Sequence, residues 1–180
     1  MDCIKCKDCD SGKYIIRSGK TSYFAGCSNY PNCKSTITLP EFIKKVLEQD
    51  GVNIYQWRKQ CLKCKKETNV ISYFLNYDLE KYDTIFESIW NIGIGDIPFI
   101  DKILLERYKN VKKVKSRTII EERAVNICEN CGRVQGHNYV INDPHEIWAE
   151  LMHEKTMEKY LIDNIKVNGM FIPYKELNIL

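Results

Sequence analysis

Eight of the nine cysteines in this 180-residue chain fall into four close pairs, and that spacing constrains the fold more than any other feature. Cys6 and Cys9 go with Cys27 and Cys33; Cys61 and Cys64 go with Cys128 and Cys131. Two thiols two residues apart can both point at one ion from a tight turn, and two such turns close a four-sulfur shell around zinc. A closed shell leaves no open position for water or substrate, so both sets are expected to be structural and the cofactor expectation is two zinc ions. A disulfide framework is the competing reading, but an odd cysteine count and short paired spacings argue against it. Reduced, metal-binding cysteines also fit the cytoplasm better than a secreted framework.

Length allows one ordinary domain or two small ones. The segment 6–33 is shorter than the roughly 40 residues below which a metal usually supplies what a packed core cannot. The first residues, Met1-Asp2-Cys3-Ile4-Lys5, do not read as an apolar signal segment, and there is no apolar run of about 18 residues, so no membrane association is expected. The formal charge is +3, from 27 Lys and Arg against 24 Asp and Glu. Two four-thiolate zinc centres, each about −2, would lower it to about −1. Global basicity is therefore no argument for nucleic acid, whereas local clusters are.

Between Cys9 and Cys27, Lys13–Arg17 has the composition of a short strand, Gly19-Lys20 of a turn, and Ser22–Ala25 of a returning strand. The whole makes a zinc ribbon. The run Phe24-Ala-Gly-Cys27-Ser-Asn-Tyr30-Pro31-Asn-Cys33 resembles the four-cysteine zinc finger at the C-terminal end of bacterial type IA DNA topoisomerases. The likeness covers residues 3–38 and includes the aromatic, Ser, Tyr and Pro positions as well as the sulfurs. Lys7, Asp10 and Ser22 depart from the family pattern, which more often has Pro, Gly and Gly there. Cys3 leaves a second register open, because Cys3-x2-Cys6 is spaced like Cys6-x2-Cys9; the gap from Cys9 to Cys27 favours Cys6 and Cys9 as ligands. The resemblance implies binding of single-stranded DNA by aromatic stacking and backbone neutralisation. Arg17, Lys20, Tyr23, Tyr30 and Lys34 are the residues placed for it. Phe24 and Tyr30 are open to a second role as a small core beneath the zinc, and strand alternation turns Tyr23 the other way from Phe24, which makes Tyr23 the expected stacking platform.

Thr38-Leu-Pro-Glu41 has the form of a capping box ahead of Phe42, Ile43, Val46 and Leu47, with Gly51 as the stop. Cys61-Leu-Lys-Cys64 and Cys128-Glu-Asn-Cys131-Gly132 are zinc-knuckle halves, and Gly132 suits a turn that needs a positive φ. Strands are expected at 69–77, 118–127 and 138–141. Helices are expected from Asp78 and from Asp96, and a last one from Asp143-Pro144-His145-Glu146, with Ile147, Trp148 and Leu151 buried. Asn168-Gly169 signals a hairpin. The two halves are read as one zinc ribbon carrying a helical insertion at about 78–110; two half-sites completed by another chain is the alternative. Lys112, Lys113 and Lys115 lie in an acid-free basic run at 109–117 that suits either phosphates or a solvated edge.

No second histidine follows His153-Glu154 at metalloprotease spacing, and Gly93-Ile-Gly95 lacks the lysine of a phosphate loop. The expected architecture is α+β. It consists of a ribbon at 1–38, a helical linker at 39–60, and a second ribbon domain at 61–180 with a C-terminal helix and hairpin. The expected function is a non-catalytic, zinc-dependent module binding DNA, with single strands favoured, acting beside a larger DNA-processing protein. A zinc-stabilised protein-interaction adaptor is the alternative.

Overall fold

The computed structural model describes residues 3–88, 91–115, 122–141, 143 and 145–167. The chain divides into two compact units, 1–52 with 76–89 and 166–180, and 53–75 with 90–165. Both mix small sheets with helices, as an α+β chain should.

In the first unit, β1 (Tyr14–Ser18), β2 (Tyr23–Cys27) and β3 (Thr36–Thr38) form an antiparallel sheet in that order. The register sets Tyr14 opposite Cys27, Arg17 opposite Phe24, and Ala25 opposite Ile37. Alternation puts Tyr14, Ala25, Cys27 and Ile37 on one face, and all four are buried. The helix α1 (Leu39–Asp50) packs against β2 and β3. Its start follows the sequence closely. Thr38 Oγ1 accepts from the Glu41 amide at 3.3 Å, and Glu41 Oε2 accepts from the Thr38 amide at 2.9 Å. The Gly51 amide closes the other end onto the Leu47 carbonyl. Leu39, Phe42, Ile43, Val46 and Leu47 make the buried stripe. Phe42 meets the edge of Tyr82, whose hydroxyl donates to Asp50.

The second unit holds two three-stranded sheets. Strands β4 (Val52–Gln60), β5 (Glu67–Ser72) and β9 (Leu161–Ile165) lie in the order β5-β4-β9. Strands β6 (Val111–Lys115), β7 (Glu122–Ile127) and β8 (Val134–Gln135) follow chain order. The buried side chain of Asn126 joins β7 to β5. Its Oδ1 accepts from the Ile71 amide and its Nδ2 donates to the Ile71 carbonyl, both at 2.8 Å, as a strand partner's backbone would.

Several local expectations fail, each because a tertiary partner outbids a local signal. Residues 52–60, placed in the helical linker beyond the Gly51 stop, form β4, whose buried residues Ile54, Tyr55 and Trp57 belong to a sheet. Strand β5 stops at Ser72 instead of 77, because Leu75 and Leu79 are both buried at helical spacing in α2 (Leu75–Glu80); Asp78 lies inside that helix. A short 3-10 helix, Thr84–Ser88, follows. Asp96 does not cap α3 (Pro98–Arg107), since its carboxylate accepts from the Gly93 amide instead. Segment 138–141 is not a strand: it lies in the short helix α4 (His137–Val140), where the Val140 amide donates to the Gly136 carbonyl and the Ile141 amide to the His137 carbonyl. The helix expected from Asp143 shrinks to one turn at Ile147–Ala149 and a π-helical turn at Glu150–Glu154. Its opening acids serve the buried Lys59 ammonium, which contacts Asp143 Oδ2 at 3.1 Å and Glu146 Oε2 at 2.5 Å and lies 4.1 Å from the Tyr139 ring centre. Ile147 and Leu151 are buried as expected, whereas Trp148 is only half-buried. Pro144, residues 118–121 and the 168–172 hairpin signal lie outside the described residues.

The start of α3 is held by two buried groups. Tyr73 Oη accepts from the Ile97 amide at 2.8 Å and donates to Asp101 Oδ1 at 3.3 Å, which also accepts from the Gly95 amide. Burial, opposed by those hydrogen bonds, raises the Asp101 carboxyl to about 7. The folded state therefore binds this proton more tightly than the unfolded chain. The associated stability is complete below the ordinary aspartate range and lost as pH rises through about 7. Between pH 6 and 8 the loss is on the order of 1.4 kcal/mol. Urea denaturation across this range should show the wild-type protein losing stability by that amount relative to Asp101→Asn, which keeps the acceptor; parallel curves would refute the assignment.

Candidate metal centres and nucleic-acid interface

The first centre is built from two loops. The turn after the N-terminus supplies Cys6 and Cys9; the end of β2 supplies Cys27, and the loop before β3 supplies Cys33. Cys6 Sγ lies 3.8 Å from Cys33 Sγ, and Cys9 Sγ lies 3.5 Å from Cys27 Sγ, with all four sulfurs within 4.8 Å of one another. Zinc–sulfur bonds of about 2.3 Å at tetrahedral angles set sulfurs about 3.8 Å apart, so the cage fits zinc. Disulfides are absent from the chain, whose nine cysteines are all free. The Asp8 amide faces Cys6 Sγ at 3.4 Å and the Asn29 amide faces Cys27 Sγ at 3.4 Å, as donors to thiolates should. Cys3 is outside the cluster, which settles the register left open by its spacing.

The second centre brings the distant halves together within one chain. Cys61 Sγ and Cys131 Sγ are 3.8 Å apart, and Cys64 Sγ and Cys128 Sγ are 3.7 Å apart. The two knuckles are congruent. The Cys61 amide donates to Lys66 O and the Lys65 amide to Cys61 O; the Cys128 amide donates to Arg133 O and the Gly132 amide to Cys128 O. Lys65 and Gly132 occupy matching left-handed positions, with φ of 61° and 66°. Gln135, which the sequence did not mark, is buried and donates to Cys61 Sγ at 3.5 Å. These two tetrads hold two zinc ions.

Electrostatics explain why metal is needed. At Cys6, burial opposes ionisation, but the Asp8 amide and neighbouring hydroxyl and thiol groups bring it down to about 6. Burial, with the adjoining sulfurs, pushes Cys27 up to about 12. In the second centre the amides of Cys64 and Lys63 bring Cys61 down to about 6. The Arg133 amide favours ionisation of Cys131, yet burial and three nearby sulfurs still push it up to about 11. Four thiolates cannot share either cage without a cation between them.

A second feature lies on the sheet face of the first unit opposite its buried side. Arg17, Phe24 and Thr36 line a concavity of about 260 Å³ with Gly26, Tyr30 and Lys34. The Arg17 guanidinium donates to the Cys27 carbonyl at 3.3 Å and stands 5.8 Å from the Tyr30 ring centre. Tyr30 is 63% exposed. Arg17, Tyr30 and Lys34 are thus brought together, and Phe24 joins them on the open face, away from the small core. Tyr23 is exposed but points to the opposite face, and Lys20 sits in the β1–β2 turn. Lys112, Lys113 and Lys115 are exposed on β6 in the other unit, where Lys113 pairs with Glu122 at 3.3 Å.

Gly12 was also unmarked by the sequence. A Cβ there would meet Cys27 Sγ at 2.5 Å and Cys9 Sγ at 2.6 Å, so only glycine lets the chain pass the cage. Elemental analysis should find two zincs per chain, falling to one in Gly12→Ala. Gly132→Ala should keep both, because nothing lies within 4 Å of its added carbon and the loss is confined to backbone strain of about 1 kcal/mol. Two zincs in Gly12→Ala would show that the cage tolerates the crowding.

No curated protein and no solved structure shows a significant match to the chain. Among the described residues, no helix is long and apolar enough to cross a membrane. With four sulfurs caged at the end of a small three-stranded sheet, residues 3–41 match the family described as the topoisomerase DNA binding C4 zinc finger, so the first unit carries a zinc ribbon of the topoisomerase type.

Proposed function

We propose that this chain is a non-catalytic, zinc-dependent DNA-binding module whose first ribbon takes single-stranded DNA. The observation that carries this reading is the concavity beside the first zinc centre, where a guanidinium, two aromatic rings and a lysine converge on an open sheet face. An unpaired base offers two faces to an aromatic ring, and stacking contributes roughly 1–3 kcal/mol per base. Arg17 and Lys34 supply the positive charge that the neighbouring phosphates require. A duplex keeps its bases stacked on one another, which denies them to Tyr30 and Phe24 and so favours single strands.

The closed sulfur cages argue against metal-assisted chemistry at either centre, because neither has a position for a reacting group. Work beside a larger DNA-processing protein in the cytoplasm fits a module of this kind.

Fluorescence anisotropy with zinc-loaded protein tests the proposal. A labelled single-stranded oligonucleotide should bind, more weakly as salt rises. Tyr30→Ala should weaken binding about ten-fold. Lys34→Ala should reduce the salt slope by about 0.7. Tyr23→Ala, from the opposite face, should change affinity little. Absence of binding to single-stranded DNA and RNA at low salt would overturn the reading, and a stoichiometric protein partner that survives nuclease would then favour the adaptor.

A further inference from the structure

The geometry points to a second nucleic-acid contact, a phosphate-binding surface at the tip of the second zinc centre. Lys63, Lys65 and Lys66 are exposed on the Cys61 knuckle, and Arg133 is exposed on its congruent counterpart. Leu62, beside Lys63 on the same knuckle, is 59% exposed. None of the four cations has a carboxylate partner among the described residues. The acids next to them in sequence are engaged elsewhere: Glu67 pairs with Arg58 at 3.0 Å, and Glu129 accepts from the Asn69 amide at 3.1 Å.

A simpler account is that these cations only offset the charge of the zinc–thiolate centre. Two observations weigh against it. The first centre, of the same charge, carries Asp8 and Asp10 in its knuckle, and Glu129 lies within the second knuckle of this one, so the metal does not demand a basic loop. Further, Lys65 holds a φ of 61° at the position where the matching knuckle has glycine. A lysine is strained there, and the same position leaves its ammonium exposed.

The chemistry defines the ligand. Residues 61–66 and 128–133 contain no aromatic side chain, so bases have nothing to stack on. Four exposed cations on the two knuckles of one metal centre suit the sugar–phosphate backbone of a nucleic acid, read by charge and without sequence. Duplex and single strand should both bind here, unlike at the first ribbon.

The test uses the full-length, zinc-loaded protein with labelled duplex and single-stranded DNA over a salt titration. The triple variant Lys63→Ala, Lys66→Ala, Arg133→Ala should keep two zincs, lose about ten-fold in affinity, and reduce the single-strand salt slope by about 2. Lys65→Gly should raise the melting temperature while weakening binding, a combination that a structural lysine would not give. In the unmutated protein, DNA should protect Lys63, Lys65 and Lys66 from acetylation. Unchanged affinity and slope in a triple variant with two zincs would overturn the assignment. So would lysines that DNA leaves unprotected, including the case where an acidic polypeptide protects them instead.

Discussion

Everything in this protein depends on holding four sulfur anions near van der Waals contact, which only a cation at their centre allows. Each cage joins segments that could not otherwise stay together. In the first unit it ties an N-terminal turn to the end of a five-residue strand; in the second it ties two knuckles separated by most of that unit. The amides aimed at the sulfurs, and the buried Gln135, spread the remaining negative charge into the surrounding backbone. Metal binding and folding are therefore one event in these parts of the chain.

Away from the sulfurs, the second unit relies on buried polar side chains that replace backbone. Asn126 completes the hydrogen bonds of Ile71 as a neighbouring strand would. Tyr73 and Asp101 satisfy the amides at the start of α3, where the cap residue, Ile97, has no side-chain oxygen to offer. Lys59 draws two carboxylates and an aromatic ring around a fully buried ammonium. Such groups are stable only when every partner is in place, and removing one partner leaves a desolvated charge or donor that costs several kcal/mol. A chain with small sheets gains a specific arrangement from them that apolar burial alone would leave loose.

The first ribbon also shows how a sheet this thin divides its two faces. One face is consumed by the core with α1, and the other is left open because the cage, not a second layer, holds the strands. That open face is where a guanidinium can lie across β1 and β2 and meet a tyrosine from the zinc loop. Structural metal and exposed aromatic surface are two consequences of the same shortage of core.

The ligand set, the α1 capping box and the Gly132 turn were legible in the sequence because each is local: a cysteine spacing, a Thr-to-Glu interval and a positive-φ position depend on neighbours a few residues away. Gly12 was not legible, since its necessity comes from two sulfurs that only the folded cage brings to it. The same holds for Asp96, a plausible helix cap whose carboxylate accepts from the Gly93 amide instead, for Asp143, which accepts from the His145 amide but also holds the buried Lys59, and for segment 138–141, whose strand-like composition yields to a helical turn. Alternation separated Tyr23 from Phe24 but could not say which of them faced the core. Sequence alone therefore picked out the cysteine pairs that bind metal, because coordination is set by short spacings; the fold excluded Cys3 and closed the distant halves into one second centre. Tertiary structure decided which face is open and which partners the acids serve, because both depend on packing between segments far apart in the chain.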